Sequence, residues 1–259
     1  MIADAYDAFL FDLDGVLYRG DDAVQGAPET IRSLRSLGKG MAFVTNNSAR
    51  TPRAVVDHLR SVEIEAAPEE VVTSALVTAE LVGERGLRTA YVIGGEGLRS
   101  ALAARGLQIL DGEPREADVV VVGWDRGITY DALRIASVLI EDGAAFVASN
   151  ADASFPAADG HAWPGAGATV AAIETTTSVR AEVVGKPHPP LLQAARRAAG
   201  DGRPLLVGDR LDTDIAGAAG LGWDSALVLT GISTREEADA GSIRPTYVVD
   251  DLRGLVDEA

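Results

Sequence analysis

The stretch Ala8-Phe9-Leu10-Phe11-Asp12-Leu13-Asp14-Gly15-Val16-Leu17 sets an apolar run directly against two carboxylates and a glycine. Phe9, Leu10 and Phe11 have the continuous apolar character of a strand buried on both faces of a parallel sheet. Ligands bind at the carboxyl ends of strands in open α/β sheets, so acids placed there face a cleft. Asp12 and Asp14 suit either ligation of a hard cation or a division of labour between nucleophile and acid–base. The plain alternative is an Asp-Gly turn closing a strand. An EF-hand calcium loop does not fit: counted from Asp12, Gly15 stands fourth instead of sixth, and the twelfth residue is Ala23 instead of Glu.

Working outward, the pattern recurs. Residues 41–44 are apolar and run into Thr45-Asn46-Asn47-Ser48. Residues 181–184 run into Gly185-Lys186-Pro187-His188, and 205–207 into Gly208-Asp209-Arg210-Leu211-Asp212-Thr213-Asp214. That last segment crowds charges against a buried strand end, which is costly without a partner, and a bound cation is the simplest one. Placed on one parallel sheet, Asp12/Asp14, Thr45/Asn46, Lys186 and Asp209/Asp214 converge on its carboxyl edge. The set combines carboxylates, a hydroxyl and amides for an anion, and an ammonium. Phosphoryl transfer, which is mostly positioning and charge neutralisation, requires that combination.

Between these segments the chain alternates strand and helix. A loop is expected over residues 16–28, and helices over 29–37 with Gly38 as the stop, from Thr51-Pro52 onward, and in residues 191–199. Ser233 with Glu236 fits a capping box. The middle of the chain repeats the alternation often enough to form a small α/β domain of its own, placed at residues 76–179, with the core at 1–75 and 180–259. Gly94-Gly95-Glu96-Gly97 lacks the third glycine of a dinucleotide loop, Ser100 standing in its place, and reads as a turn and helix start. Pro164-Gly165-Ala166-Gly167 is a loop that opens a helix.

The 259 residues, 47% of them apolar, are ample for such a core, and the absence of cysteine removes thiolate chemistry. A net charge of −16 argues against a nucleic-acid partner, though a bound cation would still admit a phosphate. The short acidic N-terminus is unlike a signal peptide and no segment has the length of a membrane span, so a soluble cytoplasmic protein is expected.

The four motifs, in this order and spacing, resemble those of the haloacid dehalogenase (HAD) superfamily phosphatases. The long insert resembles the NagD-like (class IIA) subfamily with its C2 α/β cap, which includes 4-nitrophenyl, phosphoglycolate and pyridoxal phosphatases. The resemblance implies a Rossmann-like parallel-sheet core with an inserted cap. It also implies a Mg²⁺-dependent phosphatase of small phosphorylated metabolites such as sugar or glycerol phosphates, phosphoglycolate or nucleotide monophosphates. By the same resemblance Asp12 is the nucleophile, Asp14 the acid–base and Lys186 the pairing cation. Asp12, the Asp14 carbonyl and Asp209 hold Mg²⁺, while Asp214 orders its waters. Thr45, Asn46 and Asn47 bind phosphate. Asn150 is a substrate contact, with Asp152, His161, Pro164 and Gly165 as further candidates. Trp163 is assigned to packing, Trp124-Asp125-Arg126 to a neighbouring subunit, and His188 to no role. A homodimer through the cap is compatible with the resemblance. A phosphotransferase or mutase, and a non-catalytic ligand-binding regulator, remain as other functions of the same fold.

Overall fold

A computed structural model describes residues 1–156 and 161–257. The chain divides into two compact units. The first is Met1–Thr45, Pro52–Val72 and Lys186–Ala259; the second is Asn46–Thr51 and Thr73–Gly185.

A six-stranded sheet organises the first unit. Its order is Tyr247–Val249, Asp224–Val228, Pro204–Gly208, Ala8–Phe11, Gly40–Thr45 and Val71–Thr73. Ala8–Phe11 pairs in parallel with both neighbours, Phe11 opposite Val207 on one side and Phe43 on the other. From this central strand the chain builds to one side, and after the second unit it returns to build to the other. Ala8–Phe11 therefore borders the topological switch point, where open α/β sheets bind ligands. The register carries Asp12, Thr45 and Asp209 to the same carboxyl edge.

Phe9, Phe11 and Phe43 form a stacked row on one face, with ring centroids 6.0 and 6.4 Å apart. All three are fully buried, together with Ile31 and Leu34 of the Ala27–Ser36 helix and Val55 and Leu59 of the Pro52–Ser61 helix. That helix starts with proline at its first position, where a missing N–H costs nothing. A short antiparallel ribbon, Tyr18–Arg19 with Asp22–Ala23, lies in the segment expected to be a plain loop.

The second unit has a five-stranded sheet in the order Glu182–Val183, Ala145–Ala148, Val119–Val122, Thr89–Ile93 and Gln108–Leu110, with every pairing parallel. One expectation is corrected here. The strand before Lys186 belongs to this sheet, not to the sheet of Ala8–Phe11, so three strand ends rather than four share the first unit's edge. The reason is packing at Gly185: a Cβ there would lie 2.6 Å from Asn46 Oδ1 and 2.7 Å from the Ser149 carbonyl, which seats this stretch in the second unit. Four helices, Ser74–Glu84, Glu96–Ala104, Tyr130–Glu141 and Ala166–Thr177, complete the unit. Gly94-Gly95 is a turn with Gly95 capping the Glu96–Ala104 helix, as its incomplete motif suggests. No described helix is long and apolar enough to cross a membrane.

Phe43→Ala removes a fully buried ring from the stacked row and is expected to cost about 3–5 kcal/mol of stability. Urea unfolding followed by circular dichroism measures it. A loss below about 1 kcal/mol would show that the row does not carry the first unit's core.

Candidate active site

Within the first unit, the carboxyl edge gathers Asp12, Lys186, Asp209 and Asp214. Lys186 Nζ donates to Asp12 Oδ1 at 2.6 Å and to Asp214 Oδ1 at 2.7 Å. Lys186 is 3% exposed and Asp214 is fully buried. Asp12 leaves the end of its strand with its N–H bonded to the Val207 carbonyl. Lys186 follows the second unit's last strand and is joined to Pro187 by a cis peptide bond. Asp214 sits in a single π-helical turn, Leu211–Ile215, of the kind often found at functional sites. Its Oδ2 accepts the Arg210 N–H at 3.2 Å. Gly208 makes room for it, since a Cβ there would lie 2.2 Å from Asp214 Cγ.

The crowd of charges after residue 208 sorts into two groups. Arg210 pairs with Asp212 in a fork, at 2.7 and 3.0 Å, on the surface. Asp209 and Asp214 turn inward. Carboxylate oxygens of Asp12, Asp209 and Asp214 all lie within 4.8 Å of one another. Asp209 is 1% exposed; its Oδ2 accepts the Ile232 N–H at 2.8 Å, and among the described residues its Oδ1 has no hydrogen-bond partner.

One ammonium facing three buried carboxylates leaves two negative charges uncompensated. Burial, followed by the neighbouring Asp12 and Asp214, pushes Asp209 up to about 8. Burial raises Asp214 to about 6 against the pull of Lys186. Burial also raises Asp12, with Lys186 opposing and Asp14 adding to the rise. Burial works against a charged Lys186, but Asp12 and Asp214 overcome it and hold the ammonium above the usual lysine range. A hard divalent cation fits this donor set. It would supply the missing charge, and the unpartnered Asp209 Oδ1 gives it an oxygen to bind.

Asp14 and Gly15 form the turn beyond Asp12. Asp14 is half-buried and forms a bridge with Tyr18, whose carbonyl accepts the Gly15 N–H at 2.8 Å. Gly15 is required twice over. Its φ of +84° is left-handed, and a Cβ would meet Asp209 Oδ2 at 2.6 Å. Thr45 is buried at the end of the adjoining strand.

The remaining candidates belong to the second unit. Asn150 is 3% exposed, and its amide donates to the Asn46 carbonyl at 2.7 Å. The Asn46 amide donates to Asp152 Oδ1 at 2.8 Å, and Ser74 Oγ donates to the Asn46 carbonyl at 2.6 Å. Asn47 Oδ1 accepts the Ala49 N–H. Asn150 and Asp152 therefore fix the backbone and side chain of Asn46. His161 is exposed, and the Pro164 carbonyl accepts the Trp124 indole N–H at 3.1 Å. Gly165 permits a close approach to the Asp152 carbonyl, 2.1 Å from where its Cβ would stand. Trp124 stacks on Phe155 and Arg126 lies over Trp163, so these side chains brace the Ser154–Pro156 and Ala162–Pro164 hairpin within their own unit. Exposed His188 stands at the N-cap position of the Pro189–Ala198 helix without a side-chain capping bond.

Residues 230–233 went unread as site residues. The capping box there is Thr234 with Glu237, one residue later than the sequence reading placed it. Ser233 is occupied elsewhere: its N–H donates to the Asp209 carbonyl and its Oγ accepts from Leu211 N. The available signal was position, because Thr230-Gly231 follows the apolar Asp224–Val228 strand on the same sheet.

Raising the Asp209 value from 3.8 to about 8 has a definite sign. The metal-free fold binds that proton more tightly than the unfolded chain does. Its contribution to stability is complete below the unfolded value and is lost as pH rises through about 8. A cation must displace the proton, so the gain in Tm on adding Mg²⁺ is expected to grow between about pH 6 and about pH 9. Thermal unfolding with chelator and with Mg²⁺ measures the gain; a pH-independent gain would contradict this assignment.

A family model described as haloacid dehalogenase-like hydrolase matches residues 9–108, and another described as HAD-hydrolase-like matches residues 183–255. An acid sugar phosphatase of Staphylococcus aureus is 40% identical over 256 residues, 98% of each chain. A crystal structure of a glycerol phosphate phosphatase of Mycobacterium tuberculosis in complex with magnesium superposes with a TM-score of 0.90 at 39% identity, covering 98% of this chain and 77% of that one. NagD of E. coli superposes with a TM-score of 0.86 at 28% identity over 95% and 96% of the two chains. With its motifs on the carboxyl edge of a parallel sheet, the chain belongs to the haloacid dehalogenase-like hydrolases, as a NagD-like phosphatase.

Proposed function

We propose that this enzyme is a Mg²⁺-dependent phosphomonoesterase of small phosphorylated sugars or polyols, working through a phosphoryl group carried on Asp12. The observation that carries the reading is the buried Lys186 shared by Asp12 and Asp214 beside the unpartnered Asp209 Oδ1. The names of the related acid sugar phosphatase and glycerol phosphate phosphatase support the substrate class.

Asp12 attacks phosphorus while the bond from phosphorus to the substrate oxygen breaks. Asp14 gives its proton to the departing alkoxide. It then takes a proton from the water that attacks the Asp12 acyl phosphate, which releases inorganic phosphate and restores the Asp12 carboxylate. Lys186 orients Asp12 and offsets the negative charge of the transferring group. Thr45, Asn46 and Asn47 donate to its oxygens. Asp12, the Asp14 carbonyl and Asp209 would hold the magnesium ion, which when bound neutralises phosphoryl charge. Asp214 has its oxygens committed to Lys186 and Arg210 N–H, which suits it to holding the lysine and ordering metal-bound water.

Residues 76–179 act in this reading as the cap that sets substrate range, since the core chemistry serves any phosphomonoester. The protein works in the cytoplasm. A homodimer through the second unit belongs to the same reading; exposed Tyr130 and Val138 on one helix support it.

The test is phosphate release from a panel of sugar, glycerol and nucleotide monophosphates, with Mg²⁺ and with chelator. Activity is expected to require Mg²⁺ and to fall at least about a thousand-fold in Asp12→Asn, with one polyol or sugar phosphate preferred. Asp14→Asn is expected to slow substrates with poor leaving groups most. Undiminished turnover by folded Asp12→Asn would remove Asp12 as the nucleophile.

A further inference from the structure

Residues 230–233 carry no charge and lie outside the four motifs, yet they line the acid cluster. Thr230 Oγ1 donates to the Gly15 carbonyl at 2.7 Å. Gly231 lies flat on Asp209: a Cβ there would stand 1.8 Å from Oδ2 and 2.3 Å from Asp209 Cβ. The Ile232 N–H donates to Asp209 Oδ2, while the Ile232 side chain is 54% exposed, so the backbone is what this position contributes. Ser233 holds the Asp209 carbonyl through its N–H and the following turn through its Oγ.

A carboxylate on a strand end is free to rotate its two oxygens unless one is tied. Here Oδ2 is tied by Ile232 and enclosed by Gly231 and Gly15, whose own Cβ position is 3.1 Å from the Gly231 Cα. Oδ1 is left buried and without a hydrogen-bond partner among the described residues, on a carboxylate that groups with those of Asp12 and Asp214. Thr230 makes the arrangement rigid across the chain, because it fastens this loop to the backbone that follows Asp14.

We propose that residues 230–233 form a positioning loop that sets the affinity for Mg²⁺ by presenting Asp209 Oδ1, with the hydrogen bond from Thr230 to the Gly15 carbonyl as its fastening. Partners that orient a metal ligand typically change affinity by about 10–100-fold when lost. The inference rests on the magnesium-dependent reading of the site, and the experiment separates the two.

Mg²⁺ binding to chelator-stripped full-length protein is measured by titration calorimetry, with circular dichroism to confirm folding. Thr230→Val keeps the shape and removes the hydrogen bond; it is expected to weaken Mg²⁺ binding by about ten-fold or more. Thr230→Ser restores the hydroxyl and is expected within about two-fold of the parent. Ser233→Ala, which removes the acceptor for Leu211 N, is expected to weaken binding in the same direction and carries the test if Thr230→Val does not fold. Parental affinity in both Thr230→Val and Ser233→Ala would overturn the positioning loop. So would a larger loss in Thr230→Ser than in Thr230→Val, which would mean that side-chain volume matters and the hydrogen bond does not. Failure of the parent protein itself to bind Mg²⁺ would overturn the metal reading and this inference with it.

Discussion

One buried ammonium, shared between two carboxylates, is the constraint on which the rest of this structure depends. Lys186 is almost wholly removed from water and bonds Asp12 and Asp214 at 2.6 and 2.7 Å. Charges in such surroundings persist only when paired in good geometry, and removing one partner leaves the others stranded at a cost of several kcal/mol. Asp214 must therefore stay where it is, and a glycine at 208 is needed to admit it. The π-helical turn that follows gives its second oxygen a backbone donor. A chain of local choices is thus dictated by one electrostatic contact between residues far apart in sequence.

Asp209 shows the complementary strategy. Its hydrogen bonds come from backbone: Ile232 N–H on the side chain and Ser233 N–H on its own carbonyl. Gly15 and Gly231 close in around it where any side chain would collide. The result is a carboxylate that is rigid yet electrostatically incomplete, with a proton affinity raised far above the ordinary aspartate range. A site that a cation completes couples metal binding to the stability of the fold.

Much of this was legible from residues alone. The apolar runs before Asp12, Thr45 and Asp209 are buried parallel strands, and parallel burial on both faces leaves an unbroken hydrophobic signature. Lys186 was legible as a site residue but not as to its origin. Residues 181–184 look like any other short strand, and which sheet they join is settled by the fit of Gly185 against Asn46 and Ser149. Residues 230–233 were opaque because their contribution is made by backbone N–H groups, a missing Cβ and one hydroxyl, none of which has a sequence pattern. The capping box slipped by one position since Ser233-Thr234 followed by Glu236-Glu237 satisfies the pattern in two registers; competition from Asp209 and Leu211 for Ser233 decides between them.

The six residues Asn46–Thr51 make the second unit more than a single continuous insertion. Gly97 receives their backbone so closely that a Cβ would lie 2.3 Å from the Arg50 carbonyl, and its N–H bonds the Ala49 carbonyl. Ser48 pairs with Ser149, and Asn46 is held by Asn150 and Ser74. The unit is therefore not a portable cassette. Cut out between any two points downstream of residue 72, it leaves buried amides and hydroxyls with nothing to bond. A graft of this unit onto a related core has to carry the short segment after Thr45 as part of the same piece.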